Sequence, residues 1–181
     1  MTVRSFLLRL AACFCILSLT ACGFQLRGPK PLAFKTINLS LSPYSELAVA
    51  LKRQIRTSGT TEVVDRIEDA EVRLLVLQND REKVILSLAP NGTVREYQLR
   101  QHFQFRLHDK AGHELMSIAK IELTRDMTFS DSLVLAKDQE ETQLYQDMQA
   151  DLVQQIMRRL AAVKIPAAGA AASSSASSAA R

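Results

Sequence analysis

The chain has 181 residues, with 23 Lys and Arg against 19 Asp and Glu and a net charge of +4. That length fits one domain with one core, and the near balance of charge excludes a nucleic-acid binder. With 47% hydrophobic and 23% charged residues and no internal period, wholesale disorder and repeat architectures are excluded as well.

The first elements in chain order concern export. Arg4 and Arg9 precede an apolar run from Leu10 to Leu19, too short to cross the roughly 30 Å of bilayer hydrocarbon as a helix. Residues 1–21 therefore read as a cleaved secretory signal, and its removal leaves 21 basic residues against 19 acidic ones. The run ends in Leu19-Thr20-Ala21-Cys22, which resembles the bacterial lipobox, where cleavage falls before a cysteine that carries lipid. Cys13 and Cys15 leave with the signal, so Cys22 remains alone and no internal disulfide can form. Acylation removes a thiol that an oxidising compartment would attack. Each buried methylene adds about 0.8 kcal/mol to membrane binding, and several chains together hold firmly. The lipobox analogy implies that Gly23, not being Asp, permits transport to the outer membrane. Asn38-Leu39-Ser40 and Asn91-Gly92-Thr93 match the glycosylation pattern, but in a bacterium the matches are incidental.

Residues 22–33 form the lipidated N-terminus and a short linker, and a folded body follows over residues 34–164. Phe34 to Leu41 alternates between prolines and predicts a first strand. Tyr44 to Thr57 carries Leu47, Leu51 and Ile55 at spacing four, with Gly59 beyond, and predicts an amphipathic helix. A short strand over Thr61 to Val64 precedes Val72 to Asp80, whose apolar residues on both faces predict a central strand covered twice. Val84 to Leu88 and Val94 to Leu107 flank Asn91-Gly92, a pair that favours a type I′ hairpin turn. Along the second of these strands Tyr97, Leu99, Phe103, Phe105 and Leu107 share one side with Gln101. Glu96, Gln98, Arg100, His102, Gln104, Arg106 and His108 share the other, wet side. A further strand spans Glu114 to Arg125. Asp138 and Glu141 have capping-box spacing for a last helix with Leu144, Met148, Leu152, Ile156 and Leu160 as its ridge and Arg158-Arg159 near its end. Residues 165–181 are Ala- and Ser-rich and predict a disordered tail.

These elements predict an α+β fold, two helices packed against a mixed, mainly antiparallel sheet of about four strands. No phosphate loop, nucleophile elbow, or Cys or His cluster with metal spacing is present, so neither a cofactor nor a metal is expected. His102 and His108, six apart on the wet face, read as solvated side chains.

Cys22-Gly23-Phe24-Gln25-Leu26-Arg27 resembles the mature start of the LPS-assembly lipoprotein LptE family. The likeness continues through Asn91-Gly92 with Glu96-Tyr97-Gln98-Leu99, Arg125, Leu135-Ala136-Lys137-Asp138 with Glu140, and Gln155-Ile156-Met157-Arg158-Arg159-Leu160. The resemblance implies a non-enzymatic lipoprotein on the periplasmic side of the outer membrane. It implies a plug for the LptD β-barrel that assists barrel assembly and lipopolysaccharide insertion. It also implies lipopolysaccharide contact through Lys137. The family's other basic position is Pro90 here, which leaves Arg95, Arg100 and Arg106 as further candidates on chemical grounds: phosphates and carboxylates favour ammonium and guanidinium partners. A different outer-membrane lipoprotein, acting as a protein-binding adaptor or assembly factor, is the alternative reading. A lipid-anchored hydrolase is disfavoured by the lack of a nucleophile and base constellation.

Overall fold

The computed structural model describes residues 31–165. The signal sequence, Cys22 and all but the first residue of the Ala/Ser tail lie outside the described residues. The elements are β1 (Thr36–Leu39), α1 (Glu46–Thr57), β2 (Glu62–Val63), β3 (Val72–Leu88), β4 (Val94–Asp109), β5 (Glu114–Thr128) and α2 (Val134–Leu160). One sheet has the order β2-β1-β3-β4-β5. β1 runs parallel to β2 and β3, while β3, β4 and β5 form an antiparallel meander. The sheet is mixed, as expected, with five strands instead of about four because the two-residue β2 joins its edge.

Both helices form for the reasons visible in their sequences. Ser45 caps α1, its Oγ accepting from the Ala48 N–H at 3.2 Å, and Leu47, Ala48, Leu51 and Ile55 are buried. Past the helix Gly59 takes a φ of 75°, a left-handed value that suits glycine. On α2 the ridge Met148, Leu152, Ile156 and Leu160 is buried, with Leu144 partly so. The expected capping box is not the start of this helix: α2 begins at Val134, preceded by a 3₁₀ turn at Asp131–Leu133 in which the Leu133 N–H donates to the Ser130 carbonyl. That turn supplies the nucleus a helix otherwise lacks. Asp138 and Glu141 therefore sit inside α2, and Glu141 serves another purpose described below.

Both helices cover one face of the sheet. Under them lie Phe34, Ile37, Leu74, Leu99, Phe103, Phe105 and Leu107, all essentially inaccessible to solvent. Burial of each such side chain contributes about 1.5–3 kcal/mol. β4 alternates without interruption, odd residues from Leu99 to Leu107 buried and even ones half-exposed, as the sequence predicts. Gln101 belongs to the buried row at 2% exposure, and its Oε1 has no hydrogen-bond partner.

β3 departs from the sequence reading in three respects. The two expected segments are one continuous strand. β1 accompanies it only along Val72–Leu74, so from Leu75 onward β3 lines the margin of a three-stranded ribbon. The strand is also covered on one face only among the described residues, with Leu75 half-buried on the other, opposite Arg106. The reason its pattern misled is a β-bulge between Val76 and Gln78. Val72 and Leu74 face the helices. Leu77 is the extra residue, and after it Arg81 and Lys83 face the helices in place of Asp80 and Glu82.

This switch gives α2 its polar anchors. Arg81 donates to Gln149 Oε1 at 2.7 Å and lies 5.1 Å from the Tyr145 ring centroid. Lys83 Nζ bonds Glu141 Oε2 at 2.5 Å and sits 4.4 Å from the centre of the Tyr97 ring. On β5 Arg125, opposite Leu99, pairs with Asp151. The Glu141 hydrogen bond, outweighing burial, holds the Lys83 ammonium above its ordinary pKa.

Both long hairpins turn alike. The Gly92 N–H donates to Ala89 O, and the Gly112 N–H to Asp109 O. Gly92 and Gly112 take φ values of 83° and 90°, whereas among the described residues no other residue type has positive φ. The expected type I′ turn is thus excluded, since it needs a left-handed Asn91. Pro90 at the first corner presets a right-handed turn closed by a left-handed glycine.

Three outcomes follow from this packing. Gln101→Met, which removes the orphan acceptor at similar volume, should raise unfolding free energy by about 1 kcal/mol in urea titration. Deleting Leu77 should leave unfolding by circular dichroism cooperative, because Val76 and Gln78 already oppose the neighbouring Phe105 and Gln104 and every later pair keeps its facing, and Leu77→Ala at this exposed position should cost less than about 1 kcal/mol. Glu141→Gln should lose about 0.2–1 kcal/mol at neutral pH for this partly exposed pair. A raised lysine pKa contributes stability below its unfolded value, so the deficit should shrink as pH rises past the lysine range.

Candidate functional site

Chemistry on this molecule is concentrated on the sheet face away from the helices and on the end of the sandwich where α2 begins. The open face is built in cross-strand rows from β3, β4 and β5. One row is Asp80, His102 and Glu122; the next toward the Pro90 turn is Glu82, Arg100 and Thr124. In the opposite direction follow Gln78, Gln104 and Lys120, then Leu75 with Arg106, then Arg73, His108 and Glu114. The face is thus charge-segregated, acidic around His102 and basic around Arg106.

Each candidate residue has a distinct setting. Arg100 directs Nε to Gln98 Oε1 at 2.7 Å. Arg106 Nε and Arg73 Nε are both buried without a hydrogen-bond partner, in positions diagonal to each other. Six residues separate Arg100 from Arg106, about 20 Å along a strand, so one small anion cannot engage both. Arg95 is exposed near the hairpin turn, and its carbonyl accepts from the Phe129 N–H.

Lys137, in the first turns of α2, is only 15% exposed in its side chain. Its ammonium donates to Thr128 Oγ1 at 3.0 Å and Glu140 Oε2 at 2.7 Å. Thr128 stands opposite Glu96, next to Arg95. The structure thus brings Lys137 and Arg95 to one end and leaves Arg100 and Arg106 on the open face. Cys22 lies outside the described residues.

The Lys137 end also carries apolar surface. Ile85, Leu86 and Leu88 at the end of β3 and Leu133, Val134 and Leu135 at the start of α2 are exposed, Leu135 at 75%. Behind them Tyr97 and Phe129 pack edge-to-face, centroids 5.2 Å apart, and hold the β5–α2 connection against β4.

Sequence reasoning missed Arg73 and Lys120 as members of the basic rows. The signal for Arg73 was present: it lies between Val72 and Leu74, so burial of those two turns it outward. Lys120 needed the β4–β5 register, which sequence alone does not supply.

Comparison with known proteins agrees with this architecture. The family described as LptE, Lipopolysaccharide-assembly, matches residues 34–160. The chain is 30% identical over 164 residues to the LPS-assembly lipoprotein LptE of Yersinia enterocolitica, covering 89% of this chain and 78% of that protein. It is similar to the solution structure of a lipoprotein B from Nitrosomonas europaea, with 39% identity, a TM-score of 0.66 and coverage of 77% of this chain and 91% of the other. The crystal structure of the rare lipoprotein B from Shewanella oneidensis is also similar, with 27% identity, a TM-score of 0.61 and coverage of 70% and 94%. The matched segment takes in every strand from β1 to β5 and both helices, and the chain belongs to the lipopolysaccharide-assembly LptE family.

Proposed function

We propose that this chain is a lipid-anchored, non-enzymatic protein of the outer membrane that plugs the LptD β-barrel from the periplasmic side, assists its assembly and helps insert lipopolysaccharide into the outer leaflet. The observation that carries the reading is the family match across the whole helix-and-sheet body. Attachment rests on Cys22 at the end of the lipobox Leu19-Thr20-Ala21-Cys22, with residues 1–21 as its signal and 22–33 as its tether. The body at 34–164 performs the binding, and the Ala- and Ser-rich segment 165–181 follows it as a tail.

The open face supports this role physically. The lumen of an outer-membrane barrel is polar, and a plug must offer it hydrogen-bonding side chains instead of a greasy surface. A half-exposed carpet of Gln78, Arg100, His102, Gln104 and Arg106 does so while remaining soluble before the barrel closes. The Lys137 end offers a cation beside exposed aliphatic side chains, which matches a ligand with phosphate and acyl parts. Arg95 adds a second charge there. Arg100 and Arg106 extend the cationic surface along the face.

Two measurements test the proposal. A detergent pull-down from outer membranes should retain a barrel of LptD type, and recovery of a different partner instead would favour a periplasmic adaptor. Lys137→Glu should weaken lipopolysaccharide binding by about tenfold or more, the scale of one charge-assisted hydrogen bond, with Arg106→Glu giving a smaller loss. Unchanged affinity in Lys137→Glu protein would remove Lys137 from the contact.

A further inference from the structure

The acidic rows of the open face hold a juxtaposition that sequence spacing does not reveal. Asp80 and His102 are directly opposite each other on β3 and β4, and Glu82 follows two residues along the same face. One ligand atom from each, the two carboxylates and the imidazole, lies within 4.8 Å of the others, and Glu82 Oε2 is 4.0 Å from His102 Nε2. Three residues from two strands thus converge on one point above the sheet.

We propose that Asp80, Glu82 and His102 form a divalent-cation site, best matched to Zn²⁺. Three observations carry it. The donor set of one imidazole and two carboxylates is the mixed nitrogen and oxygen type that Zn²⁺ takes, whereas Mg²⁺ and Ca²⁺ favour oxygen alone. With bonds of about 2.1 Å, donors around a tetrahedral ion stand about 3.4 Å apart. Side-chain rotation of an ångström or so closes the present arrangement, with no change in the strands. The second observation is electrostatic. Glu122 flanks His102 from β5, so three carboxylates surround one imidazole. Arg100, in one adjacent row, is turned toward Gln98, and Lys120 stands in the other. Among the described residues no lysine or arginine forms an ion pair with Asp80, Glu82 or Glu122. A cation relieves that repulsion. The third is the bulge at Leu77, without which Asp80 and Glu82 would point into the core side and His102 would stand alone. Bulges commonly re-aim side chains in this manner at functional positions.

An ion held by these three residues keeps coordination positions open to water or to an oxygen of a second molecule. The acidic patch would then accept an anion. His108 and His113 take no part: His108 lies three rows away, and His113 bonds Asp109 at 2.8 Å in the far turn.

The test uses the full lipidated chain, stripped with chelator, in detergent. Titration calorimetry with ZnCl₂ should show one site of micromolar affinity. Asp80→Asn and His102→Ala should each weaken it at least about tenfold, since losing even an outer-shell partner costs 10- to 100-fold, and His108→Ala should not. Substoichiometric Co²⁺ should broaden the His102 ring resonances of the unaltered protein before those of His108 and His113, a readout that does not depend on any variant folding. Absence of Zn²⁺ binding below millimolar concentration, binding that survives His102→Ala, or equal broadening of all three histidines would overturn the proposal.

Discussion

A strand places successive side chains on opposite faces, and a sheet packed on one side only cannot tolerate an error in that alternation. In β3 the alternation is deliberately reset. The extra residue at Leu77 lets the strand bury Val72 and Leu74 at its start and still present Arg81 and Lys83 to α2 further along. It also frees Asp80 and Glu82 for the open face. The anchorage of α2 on β3, the contribution of β3 to the charge pattern of the face and the convergence on His102 all follow from this one irregularity. A regular β3 would have sacrificed either the core or the helix contacts.

How much of this was legible depended on whether a signal was local. The ridges of α1 and α2 and the alternation of β4 are written in successive residues, and the structure has them as the sequence does. The bulge is not: Val76-Leu77-Gln78 carries no glycine or proline to mark it, so the pattern reads as two strands, the first covered on both sides. Asp138 and Glu141 illustrate the converse, a correct local motif overridden by context. A 3₁₀ turn starts the helix five residues earlier, and Glu141, now inside the helix, pairs with Lys83 instead of capping. Asn91-Gly92 is similar, because Pro90 fixes the preceding corner and leaves only the glycine left-handed. For the site, facing directions on β4 were readable from alternation, whereas which residues of β3 and β5 sit beside them required the register.

The two faces of the sheet divide labour by chemistry. One is an apolar layer sealed by helices, with Gln101 its single buried polar intruder on β4. The other stays hydrated yet ordered, because cross-strand bonds such as Gln98 Nε2 to Asp126 Oδ1 at 2.9 Å hold its side chains in place. Such a surface suits contact with another polar wall. Lys137 shows the same economy at the sandwich end, where Thr128 and Glu140 hold its ammonium in position instead of leaving it to wander.

The short reach of β1 has a mechanical side. Where β1 and β2 flank β3 the sheet is five strands wide, but past Leu74 it narrows to a three-stranded tongue with α2 lying along it as a splint. Narrow sheets coil more strongly than broad ones, so the tongue can wring about its long axis while the broad base stays put. Ile85, Leu88 and the first turn of α2 ride at the tip of that tongue, the end farthest from the anchored base, where twist accumulated along the strands is greatest.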